Sequence, residues 1–265
     1  MTEQDSPVRC SAEPRGGSPD EPPGGADIIE TVESQSDRGG GLVEPSRSPA
    51  VLVEFDVQGP LRFLSHAEML RLFQRACVRA GIRVRHSQGF NPHPKMSLPL
   101  PRTVGVQSEG DVLFTWVESG PGDLGSGRPV DPRAFGEALG RQLPDGCRIT
   151  AVRLSDRKSP PRPVGASLVI PFGRSSRPAG RQAAIADLME GEDIIVNRRS
   201  DRADRSKQTN IRPFLESFEF GSDSVTVWYA ITEAGTVRLE EVLELLAVAP
   251  ETLAGPVVRK DIRWN

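Results

Sequence analysis

The residue types able to do chemistry crowd into one part of this chain. All three histidines, His66, His86 and His93, fall between Arg62 and Arg102. The same stretch holds Arg62, Arg71, Arg75, Arg79, Arg83, Arg85, Lys95 and Arg102 against one acid, Glu68. It therefore carries +7 in a chain whose net charge is −3. Guanidinium and ammonium groups suit phosphate oxygens, and paired imidazoles suit proton transfer. Two chemistries follow. One is recognition of a polyanion without catalysis. The other is metal-independent RNA cleavage or modification, with His66 and His93 as base and acid and Lys95 or an arginine stabilising the charge that develops on the phosphorane. Metal ligation by the histidines is disfavoured, because no HxH or HExxH spacing exists and the neighbours are cationic. Cys10, Cys77 and Cys147 are far apart, which argues against a zinc ribbon and against an iron–sulfur cluster held by this chain alone. No cofactor is implied.

The elements that must position these groups follow from local pattern. Ser65 with Glu68 forms a capping box, and Met69, Leu72, Phe73, Ala76 and Ala80 recur at helical spacing up to a stop at Gly81. Cys77 falls within this helix as a buried reduced thiol. Arg71, Arg75 and Arg79 are four apart and share one face. Glu68 can pair with Arg71, but nothing in the helix pairs with Arg75 or Arg79, and like charges at this spacing repel. Such a row suits phosphates along a backbone, while a solvated face or acids from elsewhere in the fold would leave the same pattern. Next comes a loop, Ser87-Gln88-Gly89-Phe90-Asn91-Pro92-His93-Pro94-Lys95. Its prolines hold Asn91 and His93 extended and preorganise Lys95 beside them, and Gly89 permits positive φ. Phe90 either stacks on an unpaired base or plugs the core. The RNA-binding candidates are thus Arg62, Arg71, Arg75, Arg79, Arg83 and Arg85 before the loop, with Ser87, Phe90, Asn91, His93 and Lys95 in it. His66, His93 and Lys95 are the catalytic candidates.

Across the whole chain, a strand over 51–57, this helix, a short strand at 82–85, an extended segment near 96–106, a strand at 111–117, a helix from Asp131 to about Gln142 and a strand at 147–154 read as β-α-β-β-α-β. Residues 155–165 look like a linker. The second half repeats the grammar: strand 166–171, helix 179–189, strand 192–196, a basic loop, strands 211–220 and 224–231, helix 238–247 and a strand near 256–263. The expectation is an α+β fold of tandem ferredoxin-like halves, 50–154 and 166–265. The rival is one mixed domain with a continuous sheet. Residues 1–49 hold ten carboxylates against four arginines, a charge of −6 that leaves +3 for the rest. They are rich in Pro, Gly and Ser, so a disordered acidic tail is expected, able to compete for a basic groove. A second basic cluster contains Arg198, Arg199, Arg202, Arg205, Lys207 and Arg212, with Asp201 and Asp204 as internal partners. It reads as a salt-bridged loop or as an extension of the first groove.

The motif Arg62-Phe63-Leu64-Ser65-His66, the arginine-studded helix, and the run from Ser87 to Lys95 with Ser97 resemble the signature of the radical-SAM-linked protein family. The resemblance covers roughly 51–263. Lys207 followed by Asn210-Ile211-Arg212-Pro213 resembles a later family pattern that has an acid where this chain has Asn210. The family is a domain of unknown function found beside or fused to radical SAM proteins, sometimes with a ribonuclease E/G-type enzyme. The resemblance implies an RNA-handling auxiliary that presents tRNA or rRNA to such a partner; no DNA is expected. A protein-interaction subunit with a basic face would leave the same charge pattern. No apolar run nears the roughly 18 residues of a membrane span and the N-terminus lacks signal-peptide features, so a cytoplasmic location is expected.

Overall fold

The computed structural model describes residues 49–119, 129–173, 180–200 and 203–265. The acidic tail and the Gly-rich stretch 120–128 lie outside the described residues.

Strand β1 (Ala50–Val57) alternates so that Val51, Val53, Phe55 and Val57 share one buried face. Antiparallel neighbours flank it, β4 (Gln107–Ser119) on one side and β5 (Cys147–Ser155) on the other. Helix α1 (His66–Arg79) buries Met69, Phe73, Ala76 and Cys77. The Phe73 ring meets Phe55 edge-on at 4.7 Å between centroids. Each ring buried this way stabilises the fold by about 1.5–3 kcal/mol. Two short strands, β2 (Arg83–Val84) and β3 (Met96–Ser97), pair with the remaining edge of β4. Helix α2 (Pro132–Gly140) starts as its sequence prescribes, with Asp131 accepting from the Arg133 N–H at 2.9 Å and proline in the first turn. The turn after it requires Gly146, whose φ is 92° and where a Cβ would sit 2.6 Å from the Gln58 carbonyl oxygen.

The second half contributes β6 (Pro163–Pro171), α3 (Arg181–Glu190), β7 (Ile195–Ser200), β8 (Ala203–Asn210), β9 (Leu215–Phe220), β10 (Ser224–Ala230), α4 (Leu239–Leu246) and β11 (Val258–Trp264). β6 lies between β11 and β10, with β9 beyond, all antiparallel. The halves meet where β11 pairs parallel with β4, Val258 opposite Gln107 and Arg259 opposite Ser108. Among the described residues one sheet therefore runs β5-β1-β4-β11-β6-β10-β9, with β2 and β3 on β4. The class is α+β, with a large, mostly antiparallel sheet. Two apolar clusters, one per half, form the core.

A buried ion pair closes the joint between β4 and β11. Arg259 is 4% exposed and Asp111 6%. Arg259 Nη2 donates to Asp111 Oδ1 at 2.6 Å, the Ser108 hydroxyl donates to Asp111 Oδ2 at 2.7 Å, and Arg259 Nη1 donates to the Pro101 carbonyl at 2.8 Å.

Several details differ from the sequence reading: the strand expected over 192–196 lies at Ile195–Ser200, and the one expected over 211–220 opens with a 3-10 turn, Arg212–Phe214, before strand Leu215–Phe220. The connection between halves is shorter than 155–165, because β5 runs to Ser155 and β6 begins at Pro163. The basic loop is a hairpin of β7 and β8, pairing Ile195 with Asn210 and Arg198 with Lys207. Its inward position is taken by a charged residue, Arg198, so the apolar alternation that marks a strand is missing. Among the described residues no helix is long and apolar enough to cross a membrane.

Candidate nucleic-acid interface

The basic segment divides into a helix face and an arm. Helix α1 starts as its capping box dictates. Glu68 Oε2 accepts from the Ser65 N–H at 2.8 Å and the Ser65 hydroxyl at 2.7 Å, and the Ser65 Oγ accepts from the Glu68 N–H at 3.3 Å. These donors hold the Glu68 carboxyl below its ordinary value of 4.5, with Arg71 adding a smaller pull in the same direction.

Past the cap, Arg71, Arg75 and Arg79 line a groove of about 590 Å³ whose opposite wall is Gln142, Leu143 and Pro144. Arg79 is held there, donating to the Gln142 carbonyl at 2.6 Å and its side-chain oxygen at 3.3 Å. Arg71 and Arg75 are exposed and make no hydrogen bond or ion pair with any described residue.

The arm is the segment between β2 and β3. Arg85 N–H donates to the Trp116 carbonyl at 2.8 Å and Lys95 N–H to the Arg85 carbonyl at 2.7 Å. Higher up, Ser87 N–H donates to the His93 carbonyl at 2.8 Å, and His93 N–H to the Ser87 hydroxyl at 2.9 Å. His86 bridges to Pro94 between them. The loop is thus a narrow hairpin anchored on β4 and turning at Gly89, where φ is 137°. Phe90 stands at the tip, 108% exposed, so it does not plug the core. Asn91 and His93 are exposed beside it, and Arg85 and Lys95 are half-buried at the base with no side-chain partner among the described residues.

The remaining candidates scatter. Arg62 donates to the Gly59 carbonyl at 3.0 Å and lies 4.3 Å above the centre of the Phe63 ring. Arg83 forms a loose pair with Glu118 at 3.6 Å. His66 opens α1 beside a narrow cleft with Arg102 and Asp111, whereas His93 sits on the arm, and no hydrogen bond joins them. In the second cluster Arg198 pairs with Glu241 at 2.6 Å and donates to the Thr236 carbonyl at 2.7 Å. Arg212 donates to the carbonyls of Met189, Gly191 and Leu215. Lys207 is exposed. The side chains of Arg199, Asp201, Arg202, Asp204 and Arg205 lie outside the described ones. Asn210 is structural: its Oδ1 accepts from the Ile194 and Arg212 N–H groups, both at 3.0 Å, and its Nδ2 donates to Asp193 at 2.6 Å. An aspartate there could not make that last bond.

Arg102 closes the basic segment but serves inside the fold. Its guanidinium donates to the carbonyls of Arg62, Val106, Leu61 and Leu64, tying down the chain that leads into α1. Desolvation lowers its pKa, against an opposing pull from Asp111. No local signal distinguishes it from its neighbours. Among the described residues no group of three or more His, Cys, Asp or Glu converges as metal ligands.

A family model described as an uncharacterized protein conserved in bacteria (DUF2344) matches residues 51–245, a span that includes the arm, the groove and the β7–β8 hairpin. No curated protein matches the chain.

Proposed function

The chain belongs to the bacterial family DUF2344, and from that premise we propose that it is a noncatalytic RNA-binding protein that presents tRNA or rRNA to a separate enzyme. The observation that carries this reading is Phe90. A fully exposed phenylalanine at the tip of an anchored hairpin forgoes about 1.5–3 kcal/mol of burial. An aromatic face above unpartnered cations, here Arg85 and Lys95, is the arrangement that stacks an unpaired base and holds its phosphates. Arg71 and Arg75 on α1 supply further phosphate contacts.

The strand orders support reading the fold as two ferredoxin-like halves. In each, the first strand lies between the fourth and the third, with the second beyond the third. The likeness of the arm motif to radical-SAM-linked proteins makes a radical SAM or ribonuclease E/G-type enzyme the partner class. Such a role belongs in the cytoplasm.

The test is binding of tRNA and of short single-stranded RNA at low and at physiological salt. Phe90→Ala should weaken single-strand binding about tenfold at either salt, the scale of one stacked base. The double variant R71Q/R75Q should reduce the salt slope by about 0.7 per lost phosphate contact. No binding at low salt, or affinity indifferent to salt, overturns the reading and moves the basic face to a protein interface.

A further inference from the structure

An open cavity of about 620 Å³ lies at the root of the arm, between α1 and the β2–β3 strands, and neither the groove nor Phe90 accounts for it. Its volume falls in the range of small-molecule sites, about 300–1,000 Å³. Cys77, Val78, Ile82, Val84, Pro94 and Met96 are its apolar lining. The polar groups on it are Gln74, Arg83, His86 and Glu118. The Gln74 amide and the His86 imidazole make no hydrogen bond with any described residue. Arg83 and Glu118 offset each other at 3.6 Å. The lining is therefore largely apolar, with donors and acceptors that the fold does not use and little net charge.

Val78 marks the mouth. It is a β-branched residue on an exposed helix position, 78% accessible, where helix propensity favours other residues and the core gains nothing. Helix geometry then relates the mouth to the cationic row. Gln74 is three residues past Arg71, and Val78 three past Arg75, so each pair lies side by side at about 5–6 Å between Cβ atoms. A ligand with an apolar planar body in the cavity would have its charged portion beside Arg71 and Arg75, neither of which is held by a hydrogen bond or a close ion pair, Arg71 feeling only the pull of Glu68.

We infer that this cavity receives one unstacked nucleobase of the bound RNA strand, with the flanking phosphates on Arg71 and Arg75. This rests on the RNA-binding reading and adds a base-specific subsite distinct from Phe90. Gln74 offers both an acceptor and a donor to a base edge, and Glu118 accepts from an exocyclic amino group. The two arginines beside the mouth, Arg71 and Arg75, favour a polyanion over an uncharged apolar peptide.

The experiment compares a short single-stranded adenine oligonucleotide with the same ribose–phosphate chain lacking bases, on the full-length protein. Wild type should bind the intact strand about a hundredfold tighter, about tenfold from the base on Phe90 and about tenfold from the base in the cavity. Val78→Trp, which fills the mouth from an exposed position, should lose about tenfold of that preference while binding the abasic chain as wild type does. Gln74→Ala should lose part of it. Should Val78→Trp not fold, Gln74→Ala, together with quenching of a 2-aminopurine placed in the strand, decides the matter. An undiminished base preference in both variants overturns the assignment, and its loss in Phe90→Ala alone places the base on the arm tip instead. If wild type binds both oligonucleotides equally, no base is held in the cavity or on Phe90, which overturns this subsite and leaves only the phosphate contacts of the RNA-binding reading. If neither binds, the RNA-binding reading itself falls.

Discussion

Removing the charge of Asp111 tests the joint on which the continuity of the sheet depends. In Asp111→Asn the shape is kept, but the guanidinium of Arg259 remains 4% exposed without its counter-ion. Its other bond, to the Pro101 carbonyl, does not neutralise it, and its Nε is already buried without a partner. Arg102 lies close enough for the two cations to repel. Breaking one side of such a pair costs about 3–5 kcal/mol. For a chain of this size that corresponds to a fall in Tm of roughly 6–20 °C. Arg259→Met alone should cost less, towards the lower end of that range, because the carboxylate keeps the Ser108 hydroxyl and the pull of Arg102. The double variant D111N/R259M removes the buried charges together and should recover to within about 1–2 kcal/mol of wild type. Urea unfolding of the four proteins gives the coupling energy directly. Added salt should change it little, since a buried pair is poorly screened. A single-variant cost below about 1 kcal/mol, or additive costs in the double variant, would refute the reasoning.

Two further perturbations follow from the titrating groups. The Glu68 carboxyl is depressed in the folded state, chiefly by its hydrogen bonds from Ser65, so its contribution to capping α1 is complete above 4.5 and is lost as pH falls through the folded value. Ser65→Ala should move the Glu68 titration back up toward 4.5, which carbon-detected NMR of the side chain would follow; an unmoved titration would disprove the link. Burial pushes the thiols of Cys77 and Cys147 up to about 12, so both should resist iodoacetamide at pH 8 in the native Cys10→Ser protein and react on unfolding. Rapid native labelling of either, read by mass spectrometry, would contradict the burial.

What was legible in the sequence was local. The capping box, the apolar stripe of α1, the Asp131–Pro132 start of α2 and the turn at Gly89 are each specified within a few residues, and each is found. What was not legible depended on partners distant along the chain. Arg79 finds Gln142 at 63 residues' separation, Arg198 finds Glu241 at 43 and Asp111 finds Arg259 at 148. The β7–β8 hairpin was hidden for the same reason: beside Val196, the next residue that packs inward is the charged Arg198, and its counter-ion lies on α4. Phe90 had two open readings because exposure at a turn depends on whether the arm folds back on the core, which periodicity does not report.

Composition also overstates the cationic surface. Counted as letters, the segment around α1 and the one around β7–β8 look alike. Counted as guanidiniums with donors to spare, they differ. Arg198 and Arg212 direct their nitrogens at a buried carboxylate and at backbone carbonyls, so neither could reach a phosphate without undoing its own fold contacts. Arg79 and Arg102 are likewise held by carbonyls. The cations left to meet a strand around α1 and the arm are Arg71, Arg75, Arg85 and Lys95, with Arg83 loosely held by an exposed acid. With these five engaged, the logarithm of affinity should fall with the logarithm of salt at a slope near 3.5, about 0.7 for each phosphate of a single strand. A segment carrying +7 would suggest a steeper dependence. The gap between the two slopes measures how many of the arginines serve the fold rather than the ligand.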